Sequence, residues 1–118
     1  MLISGLCILT VAGCRPAADP ARDRAALLQA DVAFEKAAAE HGLEGWVSWF
    51  AEAGFQVPNG GPLVVGAEAI RANMKGLFAD TTVRLTWAPD TALVAAAGDM
   101  GYTIGQWQLL RLGAPADS

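Results

Sequence analysis

From Thr82 to Leu112 the chain reads as β-structure with little interruption, and that stretch limits the folds open to it. Val83, Leu85 and Trp87 alternate with Arg84 and Thr86, a second run spans Thr91 to Ala97, and a third runs from Tyr102 to about Leu112. A period of two marks strands with one face toward a core and the other toward solvent. Pro89 and Asp90 supply a first turn or bulge, and Gly98 to Gly101 a second. No βαβ alternation and no internal repeat occurs, so the run reads as a long antiparallel meander.

Helices precede the meander. Asp19 is an N-cap with Pro20 at the first helical position, and Gly42 is the glycine stop, which predicts a first helix ending at the Glu40–Gly42 corner. Its expected apolar stripe is Leu27, Ala30, Phe34, Ala37, Ala38 and His41, at spacings of three and four. A second, shorter helix is expected from Leu43 to about Glu52, placing Leu43, Trp46, Val47 and Phe50 together. "FQV" and "LVV" around "PNGGP", Pro58 to Pro62, read as a small hairpin. Gly66 then opens a third helix whose inward set is Ala67, Ile70, Met74, Leu77 and Phe78. The resulting class is α+β, with helices gathered on one face of an antiparallel sheet.

The N-terminus carries an address. "MLISGLCILTVAGC", Met1 to Cys14, is an apolar run too short to span a bilayer and suited to a signal peptide. It ends in "VAGC", the lipobox pattern of bacterial lipoproteins, which makes residues 1–13 a signal peptide and Cys14 the lipidated first residue of the mature chain. The chain carries no Lys or Arg before Arg15, where such signals usually begin with one. Residues 14–24 form a Pro- and Ala-rich tether and the start of the first helix. The expected location is the bacterial cell envelope, lipid-anchored on the periplasmic side or secreted. With Cys7 removed and Cys14 acylated, no cysteine remains for a disulfide, catalysis or zinc. The formal charge of −4 is spread singly over 12 acids and 8 bases, so there is no basic stripe for phosphates; nucleic acid is excluded as a partner, and membrane contact is expected only through the anchor.

Three polar groups could carry proton chemistry: His41, Asp99 and Tyr102. His41, the only histidine, titrates nearest neutral pH, but at a helix end it equally serves as a cap or packing residue. Asp99, between glycines in "AGDMGY", has the context of a tight turn. Tyr102 opens a strand with Ile104 and Gln106 on its face, and Thr103, Gly105 and Trp107 on the other. Asp31, on the inner side of the first helix, is expected to cap or pair locally. The tryptophans Trp46, Trp49, Trp87 and Trp107 could wall a pocket for a flat apolar ligand or pack a core. No metal-ligand spacing, phosphate loop or nucleophile elbow occurs, so neither metal nor cofactor is expected.

The segments "LLQADVAFEKAAAEHGLEGWVSWFAEAGFQVPNGGPLVVGAEAIRANM" and "LTWAPDTALVAAAGDMGYTIGQW", Leu27 to Trp107, resemble the NTF2-like superfamily, and more narrowly its DUF4440 or SnoaL-like branch. "GAEAIR" and "GDMGYTIG" carry most of the resemblance. It implies a domain over residues 25–112, with 113–118 a tail. In that domain three helices pack on a curved antiparallel sheet to form a cone with an apolar pocket, often dimerising through the sheet. The expected pocket residues are Phe34, Trp46, Phe50, Trp87 and Trp107.

Two departures bear on what the resemblance implies. Ala53 stands where this branch commonly carries an acid, which removes a candidate general base. "QLLRLGAPADS" stands where two further strands are expected, so the domain reads as one hairpin short and the Tyr102–Leu112 strand as an uncovered edge. The expected function is binding of a small apolar molecule or a protein partner in the cone. The alternative is an isomerase, cyclase or dehydratase of the ketosteroid isomerase and SnoaL kind, with His41 as base and Tyr102 as oxyanion donor; a third reading is an inactive piece of a longer domain.

Overall fold

The computed structural model describes residues 17–113. The signal peptide, Cys14 and the tail from 114 onward lie outside the described residues. The architecture is α+β, in the order α1 (Pro20–Val47), β1 (Phe55–Gln56), β2 (Val64–Val65), α2 (Ala67–Ala79), β3 (Val83–Val94) and β4 (Gly101–Arg111). The strands form two separate antiparallel ladders, β1 with β2 and β3 with β4.

α1 starts where its cap residues place it. Asp19 has extended backbone angles, its carboxylate accepts from the Arg22 backbone N–H at 3.2 Å, and Pro20 opens the first turn. Gly42, at φ 60° and ψ −135°, breaks the helix in a region open only to glycine, and the chain resumes helical geometry as far as Val47. This break folds the short second piece back onto the first. At Gly45 a Cβ would collide with the Ala37 carbonyl, so the fold-back needs a bare backbone there. Past Val47 only single turns follow, the Ser48 hydroxyl donating to the Gly45 carbonyl at 2.9 Å, so the second piece is shorter than the run to Glu52 expected from its pattern.

α2 buries Ile70 and Met74, with Leu77 and Phe78 half-buried beside them, as its spacing requires. Arg71 ties it to the folded-back end of α1: Nε donates to Glu44 Oε1 at 2.8 Å and Nη2 to Glu44 Oε2 at 3.0 Å, a two-pronged pair, and Nη1 also meets Glu68. The described core is small and consists of Ala38, Val47, Ile70, Met74 and Ala92.

β3 is one strand with a bulge where the sequence allowed either a turn or a bulge. The register runs Val83↔Arg111 to Pro89↔Gly105, then slips to Thr91↔Ile104 and continues to Val94↔Gly101, leaving Asp90 without an opposite number. Before the slip Val83, Leu85, Trp87 and Pro89 face α1; after it Ala92 and Val94 do, and Ala92 is 1% exposed. Gly105 lies opposite the bulge, where a Cβ would strike the Ala88 carbonyl. The β3–β4 turn closes with the Ala95 N–H on the Met100 carbonyl at 2.8 Å.

Candidate functional site

Where α1 crosses β3, Phe34 is the hub of a group of rings. Its centroid lies 4.9 Å from Trp46, 5.0 Å from Trp87, 5.7 Å from Trp49 and 6.0 Å from Phe50. Trp46 also meets Trp87 edge-on at 5.5 Å and Phe78 at 6.0 Å. These are favourable aromatic separations, supplied by the middle of α1, the piece beyond its break with the turns that follow it, the end of α2, and the inward face of β3. None of the six rings is buried, and Trp49 is exposed at the rim.

Polar atoms at the back of the group are matched. Asp31, one turn before Phe34, accepts from the Trp87 indole N–H at 2.7 Å on one oxygen and from the Thr103 hydroxyl at 2.7 Å on the other. Trp46 donates its indole N–H to Gln56 Oε1 at 3.4 Å, and Gln56 donates to the Met74 sulfur at 3.2 Å. Glu35, one turn beyond Asp31, accepts from the Thr86 hydroxyl at 2.8 Å and lies 3.9 Å from Arg84. Trp87 and Thr86 belong to opposite alternation sets of β3, so two carboxylates of α1 hold the strand from both sides. The local pairing expected for Asp31 is thus corrected: its partners lie 56 and 72 residues away, a link that no helix periodicity encodes.

The other expected site residues are dispersed. His41 is 69% exposed, with Nε2 4.0 Å from Glu40, and does not share the buried stripe of Ala38. The helix breaks one residue later, and the folded-back Gly45 lies against the Cβ of His41 while its imidazole stays in solvent. Tyr102 neighbours Thr103, whose hydroxyl reaches α1, so by alternation the phenol points to the opposite face of the sheet, where it is 55% exposed. Asp99 is exposed in the β3–β4 turn, and among the described residues its carboxylate makes no hydrogen bond. His41, Asp99 and Tyr102 therefore do not converge on one reacting position.

Of the five expected pocket residues, Phe34, Trp46, Phe50 and Trp87 come together, while Trp107 does not join them. Trp107 lies directly across the ladder from Trp87 but beyond the cover of α1, and is 65% exposed. Two open grooves flank α1 elsewhere. One of about 470 Å³ runs beside the bulge along Leu28, Val32, Ala33 and Pro89, with Lys36 and Asp90 at its rim. The other, about 420 Å³, lies under the β3–β4 turn among Asp23, Leu27, Val94 and Asp99. Among the described residues no group of three metal-ligating side chains occurs, and no helix is long and apolar enough to cross a membrane. The ring surface can stack a flat apolar molecule; it brings no paired acid and base to one.

Compared with protein-family models, with curated proteins and with solved structures, the chain gives no significant match to any of the three.

Proposed function

We propose that this chain is an NTF2-like domain of the SnoaL-like kind, held at the bacterial cell envelope by a lipid on Cys14, which binds a small apolar molecule without transforming it. In this reading α1, broken at Gly42, and α2 make the helical wall of the cone, and β3 and β4 make part of its sheet. The observation that carries the binding role is the ring group around Phe34: six aromatic side chains linked through Phe34 and Trp46, each still open to solvent. A ring group serving only as a core would be sealed, whereas an incompletely covered one offers π-faces to a planar guest. The absence of convergence among His41, Asp99 and Tyr102 favours binding over turnover.

The test is a fluorescence titration of the full chain with 1-anilinonaphthalene-8-sulfonate, comparing Trp49→Ala at the rim with Leu63→Ala in the exposed β1–β2 loop. Saturable binding weakened about fivefold by Trp49→Ala and unchanged by Leu63→Ala is expected, since loss of one stacking ring is worth about 1 kcal/mol. Equal affinities in the two variants would refute the assignment.

A further inference from the structure

We propose that the outer edge of β4 pairs, antiparallel, with the same edge of a second copy of this chain, about a twofold axis at Gln106. The pairing is strand to strand along the edge, which differs from packing of one sheet face on another.

The direction of the free backbone groups follows from two hydrogen bonds. Leu112 N–H donates to the Thr82 carbonyl and Ala95 N–H to the Met100 carbonyl, both at 2.8 Å. Even-numbered residues of β4 therefore turn their main-chain groups to β3, and the bulge does not disturb this because the extra residue is on β3. Gly101, Thr103, Gly105, Trp107, Leu109 and Arg111 then point theirs outward, where no strand of the described residues meets them. None is proline, so every one offers both a donor and an acceptor.

Native edges are commonly blunted by charges, prolines or bulges. This one has none of these until Arg111, its only charged residue. Both faces beside it are apolar and open: Tyr102, Ile104 and Leu110 on one, Trp107 and Leu109 on the other. A two-stranded ladder is marginal alone, and four strands with an apolar face are not.

Self-pairing is favoured by what the twofold brings together. Centred on Gln106, the full strand is used: Gly105 meets Trp107 of the copy, Thr103 meets Leu109 and Gly101 meets Arg111, giving about twelve main-chain hydrogen bonds. Gly105 carries no side chain because β3 backbone occupies its Cβ position, so the copy's exposed indole would lie over main chain there and not against a side chain. On the other face Tyr102 meets Leu110. The two Arg111 side chains fall at opposite ends of the joint, so the only like charges are far apart. A twofold normal to the sheet puts both α1 helices on the same side, in one sheet ordered β3–β4–β4–β3.

The experiment uses the full chain with Cys7→Ser and Cys14→Ser, adding one cysteine at a time. Gln106 sits on the axis at a non-hydrogen-bonded position, where Cα atoms approach to about 4.5 Å, inside the range of about 4.4–6.8 Å that a disulfide spans. Ile104 and its copy would lie about 13 Å apart. Under mild oxidation Gln106→Cys is expected to give at least about ten times the linked dimer of Ile104→Cys. Sedimentation of the cysteine-free chain should show a discrete dimer that Trp107→Lys converts to monomer with an unchanged far-ultraviolet spectrum. A monomeric parent, open-ended assembly without a discrete dimer, or equal linking at the two positions would overturn the proposal. If Trp107→Lys does not fold, the ratio of the two linking yields decides alone.

Discussion

Asp31 and Thr103 stand 72 residues apart in the chain, yet the Thr103 hydroxyl donates to Asp31 Oδ2 at 2.7 Å, while Asp31 Oδ1 takes the Trp87 indole N–H at the same distance. One carboxylate thereby joins α1 to both strands of the larger ladder. Asp31→Ala removes the acceptor of two half-buried donors and should lower stability by about 1–3 kcal/mol. For a domain of this size that is a fall in Tm of at least about 4 °C. Asp31→Asn keeps one acceptor oxygen and should fall between the two. Thermal unfolding followed by circular dichroism measures all three; an Asp31→Ala chain as stable as its parent would show that the link contributes nothing.

The break in α1 yields a prediction about order of severity. Gly42→Ala forces a side chain into positive φ at a cost of about 1–3 kcal/mol, with the new methyl meeting only Phe78 Cδ1 at an ordinary 4.0 Å. Gly45→Ala places its methyl on the Ala37 carbonyl and must push the two helical pieces apart, so it should cost more and should also change the near-ultraviolet signal of Trp46 and Trp49. Equal losses in urea unfolding would mean that the contact at Ala37 relaxes freely.

Acid sensitivity follows from two carboxylates. Arg71 holds the Glu44 carboxyl below its usual value through their hydrogen bonds, and the hydroxyl and N–H of Thr82 do the same for Asp80. A carboxyl whose folded value is depressed stabilises the fold above its unfolded value of about 4, and that contribution disappears as pH falls through the folded value. Tm should therefore drop from pH 5 toward pH 2, and Glu44→Gln and Asp80→Asn should each flatten the profile. Both groups are exposed, so the Glu44 share should shrink in high salt. A profile unchanged in the double variant would assign the acid sensitivity to other groups.

Envelope attachment is tested on the N-terminal segment. Cys14→Ala should abolish incorporation of labelled fatty acid and leave the protein unprocessed, whereas Cys7→Ala should do neither. Labelling that survives Cys14→Ala would place the lipid elsewhere or remove it from the account.

Local signals carried through to the structure, and long-range ones did not. Asp19 with Pro20, and Gly42 and Gly66, act within one helical turn, so the start of α1, its break and the start of α2 were legible. Period-two alternation gave β4 its two faces and put Tyr102 and Trp107 on opposite ones. Periodicity names a face without saying whether anything covers it. That is why His41, in step with Ala38, is bare, and why Trp107 remains outside the ring group although Trp87 lies beside it. The partners of Asp31 depend on how far α1 travels across β3, which only the assembled fold determines. Pro89 and Asp90 suit a corner or a kink equally, and the choice belongs to the length of strand that β4 can pair.

The unpaired Asp90 has one more effect. It resets the phase of β3, so a systematic scan of substitutions along the strand should find its intolerant positions at odd numbers as far as Pro89 and at even numbers from Ala92 onward. The exposed residues Thr91 and Leu93 should then accept polar replacements that Leu85 and Trp87 refuse. A single residue thus divides one strand into two segments with opposite rules for what each position tolerates.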